Sequence, residues 1–209
     1  MKKLLGLTLA ATMFVPALAF AQTATSEPRY DELYNPEAGH NRASVGIMAD
    51  VGTNKYNRGL AGDSNVGISY GAHLDFSPAR VLGIELGYAG AVNDLNSNIS
   101  TDGRLITNQI GGDLRFNMVP PSYDLPLGLR PFIFGGAAYQ RVDTHNFTPG
   151  FSSGNLFAIP VGGGIEADLG KTMLVGARFT YNFLFNETDS FGGRSADNWL
   201  TTVNLGARL

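Results

Sequence analysis

Apolar and polar residues alternate one by one along most of this chain. In Ser44-Val45-Gly46-Ile47-Met48-Ala49-Asp50-Val51 the odd positions are Val, Ile, Ala and Val, and the even ones Ser, Gly, Met and Asp. A period of two marks a β-strand whose faces meet different surroundings. Seven further segments repeat it, at 65–76, 81–92, 104–116, 129–141, 157–169, 172–183 and 198–209. Each is about 10–13 residues, the length a tilted strand needs to cross a bilayer. Their connections also alternate. Polar stretches rich in Asn, Asp, Ser, Thr and Gly fill 53–64, 93–103, 142–156 and 184–197, whereas 77–80 and 170–171 are tight turns. Long loops on one rim and short turns on the other are the asymmetry of an outer-membrane barrel. The link 117–128, with Pro120, Pro121 and Pro126, departs from that rule.

Sorting the residues by parity separates two surfaces. One carries Val45, Ile47, Val51, Ile68, Tyr70, Leu74, Phe76, Leu82, Ile84, Leu86 and Tyr88, and continues through Ile110, Leu114, Phe116, Ile133, Tyr139, Phe157, Ile159, Val161 and Ile165. It ends with Met173, Val175, Phe179, Tyr181, Phe183, Trp199, Val203, Leu205 and Leu209. Apart from the loop rim, where Arg141 falls, no Asp, Glu, Lys or Arg lies on it within the eight segments. The other surface holds Asp50, Asp75, Glu85, Asp113, Arg115, Arg130, Glu166, Asp168, Arg178 and Arg208. A charge on the lipid face at the bilayer midplane costs roughly 2–4 kcal/mol, which turns such residues inward. Backbone groups in hydrocarbon must all be paired, so the sheet must close without an edge. Eight antiparallel strands can do this, leaving an interior just wide enough to be filled by side chains. The fold expected is therefore all-β, an eight-stranded antiparallel up-and-down transmembrane barrel over 43–209. Inward glycines such as Gly83, Gly87, Gly162, Gly164 and Gly206 leave room for the long charged groups. A soluble barrel with the apolar face inward is the competing fold. Glycine-rich polar faces weaken it, because glycine exposed in a strand interior fills nothing. Aromatics near both strand ends suit two membrane interfaces instead.

Composition narrows the function classes. There are 15 Lys+Arg against 18 Asp+Glu, so no basic excess exists to neutralise nucleic-acid phosphates. The absence of Cys removes disulfides, thiol catalysis and Cys-based zinc sites. At the N-terminus Lys2 and Lys3 precede an apolar run from Leu4 to Leu18 and the small-residue motif Ala19-Phe20-Ala21. This is the layout of a signal peptide over 1–21, cleaved after Ala21, and 22–42 then reads as a flexible periplasmic lead-in.

With strand phrases such as Leu129-Arg130-Pro131-Phe132-Ile133-Phe134-Gly135-Gly136-Ala137-Ala138-Tyr139, residues 43–209 resemble the eight-stranded outer-membrane barrels of the OmpA/OmpX and opacity-protein type. The resemblance implies an outer-membrane location in a Gram-negative bacterium. It also implies surface-exposed loops and insertion by the barrel-assembly machinery. The last strand ends Leu205-Gly206-Ala207-Arg208-Leu209, without the final aromatic common in that family.

The inward charges are the first candidate site. They would form either a paired network that fills the lumen or an ion path, and buried charges that must be partnered favour the network. A lipid A-modifying enzyme would need a serine with a base in reach. His145 and Asp189-Ser190, in two of the long loops, are the available residues, and no His-x-Ser pairing accompanies His145. His40, His73 and His145 lack metal-ligand spacing. Gly162-Gly163-Gly164 lies inside an alternating strand, so it is not a phosphate loop. The reading that results is a non-enzymatic closed scaffold displaying surface loops, in adhesion or envelope integrity. A small solute channel is the alternative, and a lipid A-modifying enzyme the third. No cofactor, metal or nucleic acid is expected. The partners expected are outer-membrane lipid or lipopolysaccharide, the assembly machinery during insertion and a surface ligand. The protein is expected to be a monomer.

Overall fold

A computed structural model describes residues 44–57, 60, 62–78, 81–96, 102–118, 129–146, 153–169, 172–185 and 196–209. The leader, the lead-in and Asp189-Ser190 lie outside the described residues, as does most of the 117–128 link. Eight strands follow in chain order: β1 Ser44–Tyr56, β2 Gly67–Ser77, β3 Leu82–Asp94, β4 Arg104–Asn117, β5 Arg130–His145, β6 Gly154–Leu169, β7 Met173–Phe185 and β8 Asn198–Arg208. Each pairs antiparallel with the next, and β8 returns to β1, closing the barrel. Val51 opposite both Tyr70 and Val203 shows the closure in one residue. No sheet edge is left open.

The apolar face looks outward. Ile68 is 68% exposed, Ile110 64% and Leu86 61%, values that would be costly in water but match acyl chains. Outward aromatics cluster toward the loop-side rim, where Phe179 stacks on Trp199 at 6.3 Å and Phe157 meets Phe185 at 6.5 Å. On the turn side Phe76 and Phe116 sit at the ends of β2 and β4. Among the described strand residues outward charges come near the loop-side ends, where Asp94 pairs with Arg104 and Arg141 with Asp143 in the open, each at 3.0 Å.

The strands are longer than the apolar pattern implies. A loop is expected over 53–64, yet β1 continues to Tyr56, with Lys55 opposite Trp199 and Tyr56 opposite Asn198. A loop is likewise expected over 142–156, yet β5 runs to His145 and β6 starts at Gly154, with Val142 opposite Gly154. The reason is physical. Where outward residues turn polar marks the edge of the hydrocarbon, but backbone groups go on pairing above it, since an unpaired N–H or C=O is costly wherever it is buried. His145 therefore belongs to a strand end, not to a loop. Asn146 follows it with φ 54°, a left-handed conformation that Asn tolerates.

Candidate functional site

The lumen is the candidate site, and its turn-side half is ionic. Arg115 of β4 is 1% exposed and grips Glu166 of β6 with both terminal nitrogens, at 2.6 and 2.7 Å. Its Nη1 also donates to Glu85 of β3 at 3.0 Å and to Asp75 of β2 at 3.2 Å, and its Nε to Asn117 at 2.8 Å. Arg178 of β7 donates to the other oxygen of Glu85 and, at 3.0 Å, to Asp113. Arg130 lies 3.7 Å from Glu166 and 3.2 Å from Asp168, which also meets Arg208 at 3.1 Å. Nine of the ten inward charges named from the sequence are thus joined in one chain of ion pairs. Asp50 stands apart, taking a 3.0 Å contact from His73 and a hydrogen bond from Asn204.

Two aromatic rings support the arginines. Phe132 and Phe134 of β5 point inward by the same parity as Arg130, and they are 3% and 5% exposed. The Arg115 guanidinium carbon lies 3.8 Å from the Phe132 ring centre, and that of Arg178 3.6 Å from Phe134. Such stacking is attractive electrostatically and limits the rotamers of the long side chains. Glycine makes the rings fit: a Cβ on Gly164 would stand 2.6 Å from Phe132 Cζ, and one on Gly162 2.6 Å from Phe134 Cζ. The run Gly162-Gly163-Gly164 lies within β6, and two of its members serve this close approach.

The loop-side half is closed differently. Tyr56, Leu60, Leu95, Leu105, Val142, Leu156 and Leu184, with Ala138, Ala158 and Ala196, form an apolar cluster. Leu60 and Leu95 come from polar connections, which Ser64 ties together by bridging to Leu95 and bonding back to Leu60 O at 3.0 Å. The one polar end, Tyr56 Oη, shares a 2.6 Å hydrogen bond with Thr107 Oγ1. Asp197 anchors the start of β8 from above, accepting from Leu184 N at 2.9 Å and from Tyr181 Oη at 3.3 Å. This cap was not named from the sequence. Extending the inward parity of each strand past the membrane edge would have found Val142, Leu156 and Leu184.

Between cap and ion pairs lies a belt of amides and hydroxyls. Asn182 donates to Asn198 at 2.7 Å, Gln109 to Asn182 at 3.4 Å, and Asn93 to Asn54 O at 3.1 Å. Of the residues considered for chemistry, His73 and His145 are described, and they lie apart. His145 is exposed at the tip of β5, and His73 faces Asp50 inside the barrel. His40 and Asp189-Ser190 lie outside the described residues. Among the described residues no group of three His, Cys, Asp or Glu is placed to hold a metal ion.

Solved structures share this architecture. Neisserial surface protein A aligns with a TM-score of 0.55 and 17% identity, covering 80% of this chain and 98% of its own. The attachment invasion locus protein Ail of Yersinia pestis aligns at 0.50 with 11% identity, covering 81% of this chain and 99% of its own. OprG of Pseudomonas aeruginosa aligns at 0.51 with 13% identity, covering 81% and 97%. No curated protein sequence matches the chain. The model of the outer membrane protein beta-barrel domain matches residues 7–208, and with its closed antiparallel barrel and apolar exterior the chain belongs to that family, as a protein of the outer membrane.

Proposed function

We propose that the protein is a closed, non-enzymatic scaffold that holds its polar connections at the cell surface, where they serve adhesion or envelope integrity. The observation that carries this reading is the double filling of the lumen, by paired charges on the turn side and an apolar cluster on the loop side. A barrel filled at both ends has no standing aqueous path, so specificity falls to the segments between strands. One structural neighbour is named a surface protein, and another an attachment invasion locus protein. The latter has also been solved with the heparin analogue sucrose octasulfate. The partners are outer-membrane lipid or lipopolysaccharide around the barrel, the assembly machinery during insertion, and a ligand at the surface.

Reconstitution of the mature protein in planar bilayers tests the closed lumen. No stepwise conductance is expected, and discrete conductance steps would replace this reading with that of a small solute channel. For the enzymatic alternative, cells carrying His145→Ala should show lipid A acylation identical to wild type by mass spectrometry. A changed acyl pattern would overturn the non-enzymatic reading.

A further inference from the structure

The loop-side rim of such a barrel faces the cell exterior, and among the described residues Lys55, Arg104 and Arg141 are the cations that point outward there. Two of them are neutralised on the spot, Arg104 by Asp94 and Arg141 by Asp143. Lys55 has no ion-pair partner among the described residues. A cation without an acid at this depth of the membrane is the first sign of an anionic partner.

The register around Lys55 supplies the second. Lys55 of β1 stands opposite Trp199 of β8, and one outward step lower Thr53 stands opposite Thr201. One step lower again, Val51 stands opposite Val203, and these two are 60% and 56% exposed. Both threonines are exposed on the lipid-facing side, and neither hydroxyl has a partner among the described residues. Descending this seam, the surface passes from an ammonium and an indole N–H, through two hydroxyls, to bare hydrocarbon. Every polar group in the upper two rows can donate a hydrogen bond, and no carboxylate stands among them. Polar groups left unbonded at the edge of hydrocarbon are costly, so the seam favours a partner that brings acceptors. A phosphorylated lipid has the complementary order: phosphate outermost, acyl carbonyls beneath it, chains innermost. Trp is also suited to the headgroup level, with its ring in the apolar layer and its N–H toward the polar one.

From this register we propose that the β1–β8 seam is a binding site for one phosphorylated glycolipid of the outer leaflet. Its phosphate meets Lys55 and Trp199, its acyl carbonyls accept from Thr53 and Thr201, and its chains lie along Val51 and Val203. The lipid then spans the joint between the first and last strands, where the barrel closes. The proposal rests on the reading that lipopolysaccharide is a partner, and places that partner at one seam.

The test is native mass spectrometry of the mature protein folded in dodecyl maltoside, an uncharged detergent. Lipid A, dephosphorylated lipid A and phosphatidylglycerol are added in turn. One lipid A per barrel is expected, with the other two lipids held more weakly. Lys55→Gln should weaken lipid A retention about fivefold, the weight of one Lys at an anionic membrane surface. Lys55→Arg should keep most of it, and the double change Thr53→Val with Thr201→Val should reduce it. Arg104→Gln, at a rim cation that already has its acid, should leave it unchanged. An unboiled gel checks that each variant is folded. Retention by Lys55→Gln equal to wild type would overturn the site while leaving lipopolysaccharide as a general partner. Undiminished retention in the threonine variant would do the same, as would dephosphorylated lipid A or phosphatidylglycerol held as tightly as lipid A. No lipid A on the wild-type protein would overturn the partner reading as well. Should Lys55→Gln fail to fold, the threonine variant and the lipid comparison decide.

Discussion

Arg115 sits over the face of Phe132, its guanidinium carbon 3.8 Å from the ring centre, while both terminal nitrogens of the same group grip Glu166. One side chain thereby ties β4 to both β5 and β6, and through Glu85 and Asp75 to β3 and β2. A guanidinium can do this because it is planar, permanently charged and rich in donors; an ammonium cannot. Arg115→Ala would leave three carboxylates short of their counter-charge. The expected loss is about 3–5 kcal/mol, the usual cost of breaking a buried pair. Arg115→Lys should fall between Ala and wild type, keeping charge without the fork or the stack. Urea midpoints of the detergent-folded protein, with the heat-modifiable band on an unboiled gel as the fold check, measure both.

The register of β3 gives a second prediction. Ile84 faces acyl chains at 43% exposure, and Gly83 faces the lumen. Ile84→Arg should cost about 2–4 kcal/mol if it sits near the midplane and reduce the folded fraction in the outer membrane. Gly83→Ser should fold, because the nearest atoms to a Cβ there are side-chain ends, Ser77 Oγ at 3.0 Å and Asp75 Oδ1 at 3.2 Å, with Arg115 Cβ at an ordinary 3.6 Å. Equal yields of both proteins on an unboiled gel would contradict this facing.

Gly164 gives a third. Its missing Cβ is the space against which the Phe132 ring rests. Gly164→Ala would set a Cβ 2.4 Å from the Ala177 carbonyl oxygen as well as 2.6 Å from the ring, so it should shift the backbone, force the ring off its seat and loosen the Arg115 stack, at about 3 kcal/mol or more. Pairing it with Phe132→Leu should recover part of the loss, and a double-mutant cycle on unfolding midpoints reads that coupling. Strictly additive losses would mean that the ring and the glycine act separately.

The apolar cap yields a fourth. Leu156 is 1% exposed within it, and Leu156→Ala should destabilise by roughly 2–5 kcal/mol, as large-to-small changes in packed interiors do. Tyr56→Phe keeps the ring but removes the bond to Thr107, for a loss of about 0.5–1.5 kcal/mol. By contrast, Arg104→Ala breaks only an exposed pair with Asp94 and should change the unfolding midpoint little.

Much of the fold could be read from residue order alone, because a period of two states which side chains share a face and the lipid face admits few charges. That logic put Ile68, Ile110 and Leu86 outside, and Asp75, Glu85, Arg115 and Glu166 inside, where the structure has them. Which carboxylate pairs with which arginine was not legible. Arg115 and Glu166 are separated by 51 residues, and only the closed register brings them together. Phe132 and Phe134 were passed over because an apolar residue at an inward position looks like a break in the pattern. Their role emerges only with an arginine above and a glycine beneath. The strand ends were misplaced for a related reason: polarity reports the depth of the membrane, whereas pairing reports the backbone.

The continuation of β5 and β6 beyond the greasy band has a consequence for variation at the cell exterior. Arg141 opposite Asn155 and Val142 opposite Gly154 hold the feet of that hairpin at a set spacing before the crown begins. Exchange or lengthening of the segment between those feet should then leave the register of the part that must insert as it is, since added loop length costs little.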